Sequence, residues 1–561
     1  MTQAEKEKHQ FDVVIVGAGA AGCVLASRLS EVPSLKVGLV EAGEDFGLDG
    51  EPAAVRDNYS RGTGHPGIVW SGSQARLSDE AGRAPFLQAR AVGGGSLVMG
   101  MQALRGLPAD YDEWASHGVR GWSWDDVLPY FRKLETDVDF AGPAHGATGP
   151  YPIRRLPTHR WPRFSQAVAQ ALVRHGNRIG EDLNSDFGDG LFPLPTNAET
   201  THRVTAPAAY LGASVRARPN LQILSRTIAE HLLFDGRRVT GLKLRRADRS
   251  EGEISSPMVV LCCGAIRSPA LLLRSGIGSA VELTRLGLPV IHDLPGVGRN
   301  LLNHPILALA LRLKRDARQP ASIRPHIHSM LRYSSSETGC PAGDMAMTIL
   351  NKTAWHALGG GIGALAVSVY KSFSAGYVSI SSPDAEASPV IDLALLSDER
   401  DRRRMAAGLV RMMEVVASPE VQAISQAGFL PGGTKTMRRL SRQTHFNALL
   451  SQFLSQAMDV SPTVRRWLVS AAGRTLDTLD TGELEELAST HTSTMYHPAG
   501  TCRMGAYDDP ATVTDSGGRV LGFEGLRIAD ASLMPTIPSA NTFIPVTMIA
   551  EKLADQIKHD F

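Results

Sequence analysis

The chain has 561 residues, 58 Lys+Arg against 57 Asp+Glu for a net charge of +1, and 43% hydrophobic residues. This length allows several units with sizeable cores, while the charge balance excludes a global basic field for nucleic acid and the apolar content excludes bulk disorder. No uncharged apolar run approaches the roughly 18 residues of a membrane span, and the charged N-terminus MTQAEKEKHQ has no apolar signal core, so a soluble cytoplasmic protein with neither membrane nor nucleic-acid partners is expected.

Phe11–Val16 reads as a short strand buried on both faces. Gly17-Ala18-Gly19-Ala20-Ala21-Gly22 follows, then a helical pattern that Pro33 ends. Lys36–Val40 is a second strand, closed by Glu41 and Ala42. In such a unit the first glycine permits the tight turn, the second lets the backbone approach a pyrophosphate, and the third lets helix and strand pack closely. The helix N-terminus faces the phosphates, and Glu41, nineteen residues beyond Gly22, is placed to accept from a ribose hydroxyl. A dinucleotide site is therefore predicted. Its position at the N-terminus of a long chain leans towards FAD over NAD.

Residues 44–90 are rich in Gly, Pro, Ser and Arg and read as long loops with short elements, wrapped over a site and not forming a core. Arg90–Ser96 holds three successive glycines, Gly93 to Gly95, which suit a loop pressed against a ring system or phosphate. Trp122–Asp137 looks helical, 143–160 marks a boundary, and 164–175 reads as an amphipathic helix. Strands are expected at Leu221–Leu224, Ile228–Phe234, Val239–Leu244 and Met258–Cys262. The strand end meets Gly264, and Ser268–Pro269 has the chemistry of a helix start, with Gly276 as the stop. From about 310 to 490 strand-like runs alternate with helices such as Arg403–Val416. His497 then sits in an irregular stretch between Tyr496-Pro498 and Gly500, where catalytic groups are common. Leu526–Ala529 is a short strand ending in Asp530, and Asn541 precedes a closing helix, Ile544–Ile557. The five cysteines are scattered, with no CxxC or HExxH, so neither a disulfide framework nor a metal site is expected.

Taken in order, VIVGAGAAG with VEAG, RAVGGGS, DYDEW (Asp110–Trp114), GAIRSPALLLRSGIG, GVGRNLLNH (Gly296–His304), HPAGTCRMG and RIADASLMP with SANT resemble the glucose–methanol–choline family of flavin oxidoreductases. The run RGLPADYDEWASHGVRGWSWDDVLPYF is most similar to its branch of bacterial 5-hydroxymethylfurfural oxidase-like alcohol oxidases. The resemblance implies an α/β fold. A Rossmann-like FAD domain would comprise residues 1–160, 205–310 and 490–561, and a substrate domain with a largely antiparallel sheet flanked by helices would comprise 161–204 and 311–489. It implies non-covalent FAD, a small alcohol substrate, and oxygen or another electron acceptor. His497 matches the family's active-site histidine and Asn541 its partner. The cofactor-binding positions carried over are Gly17, Ala18, Gly19, Ala20, Ala21, Gly22, Glu41, Ala42, Arg90, Val92, Gly94, Gly95, Ser96, Met99, Ala229, Gly264, Asp530, Ala531 and Thr542. Two positions depart from the family pattern. Val98 and Met99 stand where an Asn usually lies beside the flavin ring, and Asn303 replaces an Asp before His304. The expected reaction is oxidation of a primary alcohol, aromatic or furanic, to the aldehyde. The open alternatives are a pyridoxine, sugar or choline-type alcohol, a hydroxynitrile-lyase-like member, or a photodecarboxylase-like one.

Overall fold

A computed structural model describes residues 9–59, 65, 67–432, 439–440, 442–475 and 483–561. A five-stranded parallel sheet runs in the order Leu221–Leu224, Val37–Val40, Val13–Val16, Met258–Leu261, Leu526–Ile528. Every residue of the three middle strands except Met258 is buried, as expected where both faces are covered. The first helix, Ala20–Leu29, lies against the last, Phe543–Lys558. Beside this sheet, Thr227–Asp235, Arg238–Arg246 and Glu251–Ser255 form an antiparallel meander.

A second, eight-stranded antiparallel sheet is built mainly from the middle of the chain. Its order is Gly473–Thr475, Ser425–Pro431, Pro305–Leu313, Ile362–Val369, Met345–Leu350, Ile327–Tyr333, Gly190–Pro193, with Ser493–Thr494 pairing Pro305–Ile306. The two-residue side-chain period divides its contacts. Leu309, Leu311, Leu365 and Val367 pack on the helices Arg163–Arg174 and Glu399–Ala417. Ala310 and Ala364 face the helical hairpin of His445–Val460 and Pro462–Ala472. Met330 and Ala346 join Tyr370 and Ala540 in a separate small cluster.

Two sequence expectations need correction. The segment from Trp122 to Asp137 is helical only over Trp124–Lys133. Glu135–Asp137 becomes a strand beside Tyr151–Arg154, placing its carboxylates on buried cations. The short elements within the loops of 44–90 include a hairpin, Gln74–Ser78 with Gly82–Pro85, inside a four-stranded sheet. The helix expected from Ser268–Pro269 starts earlier, at Gly264, and runs to Arg274 with Pro269 inside it. Proline there cannot donate to the carbonyl four residues back. The Thr501 hydroxyl donates to that carbonyl, of Ala265, at 2.6 Å instead.

The junction near Tyr370 is held by a buried ion network. Arg404, 1% exposed, donates to Asp344 at 2.7 Å and to the Lys371 carbonyl at 2.9 Å, and it pairs with Asp401. Asp401 also accepts from Ser372 Oγ and from the backbone of Phe373 and Ser374. Removing the cation would leave two buried carboxylates short of a partner. Arg404→Met is expected to cost about 3–5 kcal/mol, read by chemical denaturation of the holoprotein.

Candidate active site

One cavity of about 650 Å³ runs from the Gly17–Ala21 turn, past Gly94–Ser96 and Ala531, to His497 and Asn541. At the first end Gly17, with φ +97°, turns the chain from strand to helix. The glycines there answer to two different constraints. A Cβ at Gly22 would lie 1.9 Å from the Gly17 carbonyl oxygen, and one at Gly94 2.7 Å from the Gly19 Cα, so these positions are closed by packing. A Cβ at Gly19 would meet only the Cys262 carbonyl oxygen, at 3.9 Å, and at Gly95 and Gly264 nothing within 4 Å. All three line the cavity.

Glu41 accepts from the Ala18 N–H at 2.9 Å on one oxygen and from the Gly43 N–H at 2.8 Å on the other. Each oxygen keeps acceptor capacity towards the cavity it lines. Asp530 is different. Its two oxygens take four donors: Ser532 N and Oγ at 2.8 and 2.6 Å, Gly264 N at 2.8 Å and Ser268 Oγ at 2.6 Å. This carboxylate ties the helix at Gly264 to the turn after Ile528, so its acceptor sites are already filled by the protein. Burial pushes both carboxyls up from their ordinary values, and the donors oppose it.

At the other end, His497 follows Tyr496, whose φ of +60° is rare for an aromatic residue and aims the next side chain inward. Asn303 Oδ1 accepts from the backbone N–H of both His497 (3.0 Å) and His304 (2.9 Å), while its amide donates to Thr494 Oγ1 at 2.6 Å. The two imidazoles meet Nδ1 to Nδ1 at 2.9 Å, edge to face. The Asn541 amide nitrogen lies 3.2 Å from His497 Nε2, and its carbonyl oxygen accepts from the Tyr370 hydroxyl at 3.0 Å. With the amide placed this way, its N–H faces Nε2 and its carbonyl oxygen the Tyr370 hydroxyl, so Asn541 donates to Nε2. That nitrogen is therefore the unprotonated one, and the His497 proton lies on Nδ1 towards His304. Burial lowers the His497 pKa to about 4 and that of His304 well below its ordinary value. Both rings are neutral at physiological pH.

The structure brings onto the cavity wall His497, Asn541 and most of the cofactor positions expected from the sequence: Gly17, Gly19, Ala20, Ala21, Glu41, Ala42, Gly94, Gly95, Ser96, Met99, Ala229, Gly264, Asp530, Ala531 and Thr542. Four lie behind it. Ala18 and Gly22 shape the turn. The Val92 N–H donates to the Glu44 carbonyl, and Arg90 packs over Trp70 on the far side, donating to the Ala42 carbonyl. Sequence reasoning missed His304 as the partner of His497, Tyr370 as the residue that orients Asn541, and Arg267. The last is a guanidinium lining the cavity 3.4 Å from the Trp70 ring centre. Burial lowers its pKa to about 9, so it stays charged, and its Nε has no hydrogen-bond partner among the described residues.

GMC oxidoreductase family models match residues 11–306 and 372–550. The chain belongs to the GMC oxidoreductase family. It is 36% identical to a 5-(hydroxymethyl)furfural oxidase of Methylovorus sp., covering 98% of both chains. It is 31% identical to an oxygen-dependent choline dehydrogenase of Escherichia coli, covering 98% of this chain and 96% of that one. Among solved structures, pyridoxine 4-oxidase from Mesorbium loti superposes with a TM-score of 0.82 at 28% identity, over 98% of this chain and 99% of that one. The protein is thus an FAD-dependent GMC oxidoreductase acting on alcohols.

The residues present fit FAD. Three glycines leave room where a side chain would intrude, a helix N-terminus without first-turn acids faces the turn, and Arg267 is a half-buried cation whose Nε has no partner among the described residues. Gly19→Val should place two methyl groups in the space left for the diphosphate. FAD retention is expected to fall roughly 10- to 100-fold, by analogy with overpacking costs, measured as flavin bound per protein after gel filtration.

Proposed function

We propose that the protein oxidises a primary alcohol, aromatic or furanic, to the aldehyde, with His497 as general base and Asn541 as the group that holds the substrate oxygen. The observation that carries this reading is the arrangement of His497. Its Nε2 faces the cavity unprotonated beside an amide donor, while its Nδ1 is spent on His304. FAD, when bound, supplies the acceptor for the hydride that leaves the carbinol carbon. Removing the hydroxyl proton makes that departure easier, and a neutral imidazole is suited to take it. The Asn541 N–H then donates to the oxygen and orients the carbon.

The lining supports this choice of substrate class. Besides Gln88, Gln102, His326 and Thr494, the cavity that His497 lines includes Phe86, Val98, Met99, Met101, Ile306 and Tyr496, a largely apolar and aromatic set. The only carboxylates among the lining residues are Glu41 and Asp530, both hydrogen-bonded within the nucleotide-side turns. Among the described lining residues no anionic partner for a quaternary ammonium group stands beside the base, which favours a flat uncharged alcohol over choline. The likeness to the furanic alcohol oxidase supports the same choice.

FAD is proposed to be held without a covalent bond, since His65 does not line the cavity. Residues 1–160, 205–310 and 490–561 are proposed as the cofactor domain, and 161–204 and 311–489 as the substrate domain. The strands Pro305–Leu313 and Ser493–Thr494 lie at their boundary.

Anaerobic addition of furanic, benzylic, pyridoxine, sugar and choline alcohols to the holoprotein should bleach the flavin with the first two. Readmitted air then reads whether oxygen accepts the electrons. His497→Ala should keep its flavin and lose about 10²–10⁴ in the reduction rate; an unchanged rate removes His497 as the base. Because burial depresses the His497 pKa, the base is neutral above about pH 4. In stopped-flow reduction, the rate constant should stay level through pH 6.5 and fall only as pH drops towards 4.

A further inference from the structure

The helical hairpin His445–Val460 and Pro462–Ala472 has apolar residues on both sides. Met458, Leu468 and Val469 are buried against Ala310, Ala364 and Phe429 of the antiparallel sheet, with Leu450 and Leu454 beside them. The opposite side should be polar in a helix that only covers a sheet. Instead Phe446 is 72% exposed, Leu449 70%, Phe453 68%, Val460 80% and Trp467 67%. Phe446, Leu449 and Phe453 follow the i, i+3, i+7 spacing of a single stripe.

The charges around this stripe have one sign. Between residues 439 and 475 the only acidic residue is Asp459, and it is turned inward onto Arg312, Arg315 and Arg318. The same stretch carries Arg439, Arg442, Arg465 and Arg466, while Arg474 beyond the hairpin pairs with Glu483 at 2.8 Å. A net charge of +1 for the whole chain therefore conceals a hairpin that is outwardly apolar and basic. A second copy docked through a two-fold axis would bring these arginines towards their own images. An anionic bilayer meets both features at once, since apolar side chains enter the acyl boundary while arginines reach the phosphates.

We propose that the hairpin 445–472 is an in-plane docking surface for an anionic lipid bilayer, with Phe446, Leu449, Phe453 and Trp467 as the inserted side chains. No helix among the described residues is long and apolar enough to cross a membrane, so the contact lies on the surface and does not span. This proposal is independent of the alcohol substrate.

Flotation of the purified holoenzyme with vesicles of phosphatidylcholine and phosphatidylglycerol tests it. The enzyme should float with the mixed vesicles and stay in solution with pure phosphatidylcholine at moderate salt. Phe453→Ser with Trp467→Ser should abolish flotation. Arg442→Gln and Arg466→Gln should each weaken it roughly fivefold. Soluble alcohol turnover should be unchanged in all of these variants, which also shows that they fold. Absence of wild-type flotation on anionic vesicles overturns the proposal. So does a concentration-dependent dimer in sedimentation that Phe453→Ser with Trp467→Ser dissolves without any vesicle binding, because a second copy then covers the face.

Discussion

A buried carboxylate near the end of the chain ties together the two helices that flank the cavity, the first and the last. Glu551, fully buried in the last helix, accepts from Arg28 of the first helix at 2.8 Å, from Tyr210 at 2.9 Å and from Lys133 at 3.2 Å. The first helix begins beside Gly19, and the last begins just after Asn541 and Thr542. One clamp thus sets the phosphate-side turn against the residues beside His497. With two cations and a phenol around it the charge is met, and the geometry is specific in a way that apolar packing alone would not be.

A second cluster of buried charges gathers around His145. His145 places its ring between Asp137 at 3.1 Å and Asp182 at 2.9 Å, with Glu135 at 3.4 Å. Burial opposes its charge, but these carboxylates push the His145 pKa up to about 10. Glu135, Asp137 and His145 lie close enough to hold a metal ion. However, Arg105 pairs with Glu135, and Arg155 with both aspartates. Three carboxylates against two guanidiniums and an imidazolium close the charge count without an ion.

What could be read from the sequence depended on how local the chemistry is. The strand, glycine turn, helix and Glu41 fall within about thirty residues, so spacing alone carried a dinucleotide site. The partners of His497 are not local. His304 reaches it across 193 positions, and Tyr370 reaches Asn541 across 171. The early start of the helix at Gly264 was hidden for the same reason. Ser268–Pro269 has the residues of a helix cap, and the group that makes the proline tolerable, Thr501, lies 236 positions from the carbonyl it serves. The exposed stripe of Phe446, Leu449 and Phe453 is likewise invisible to a search for spanning segments and to the overall charge.

The Asn303 substitution, a small departure in the sequence, acquires meaning from the histidine pair. Its oxygen accepts from the backbone of both histidines, which an aspartate could also do. Its amide also donates to Thr494, which an ionised aspartate could not. An aspartate would in addition bring a negative charge beside two buried imidazoles, favouring the imidazolium form and raising the His497 pKa. A base must be neutral before the substrate arrives. A neutral amide at 303 aligns His497 and His304 without stabilising the protonated ring, and Tyr370 orients Asn541 with a neutral phenol. All four groups within hydrogen-bond reach of His497 or Asn541 are uncharged, leaving the substrate proton as the charge His497 is built to receive.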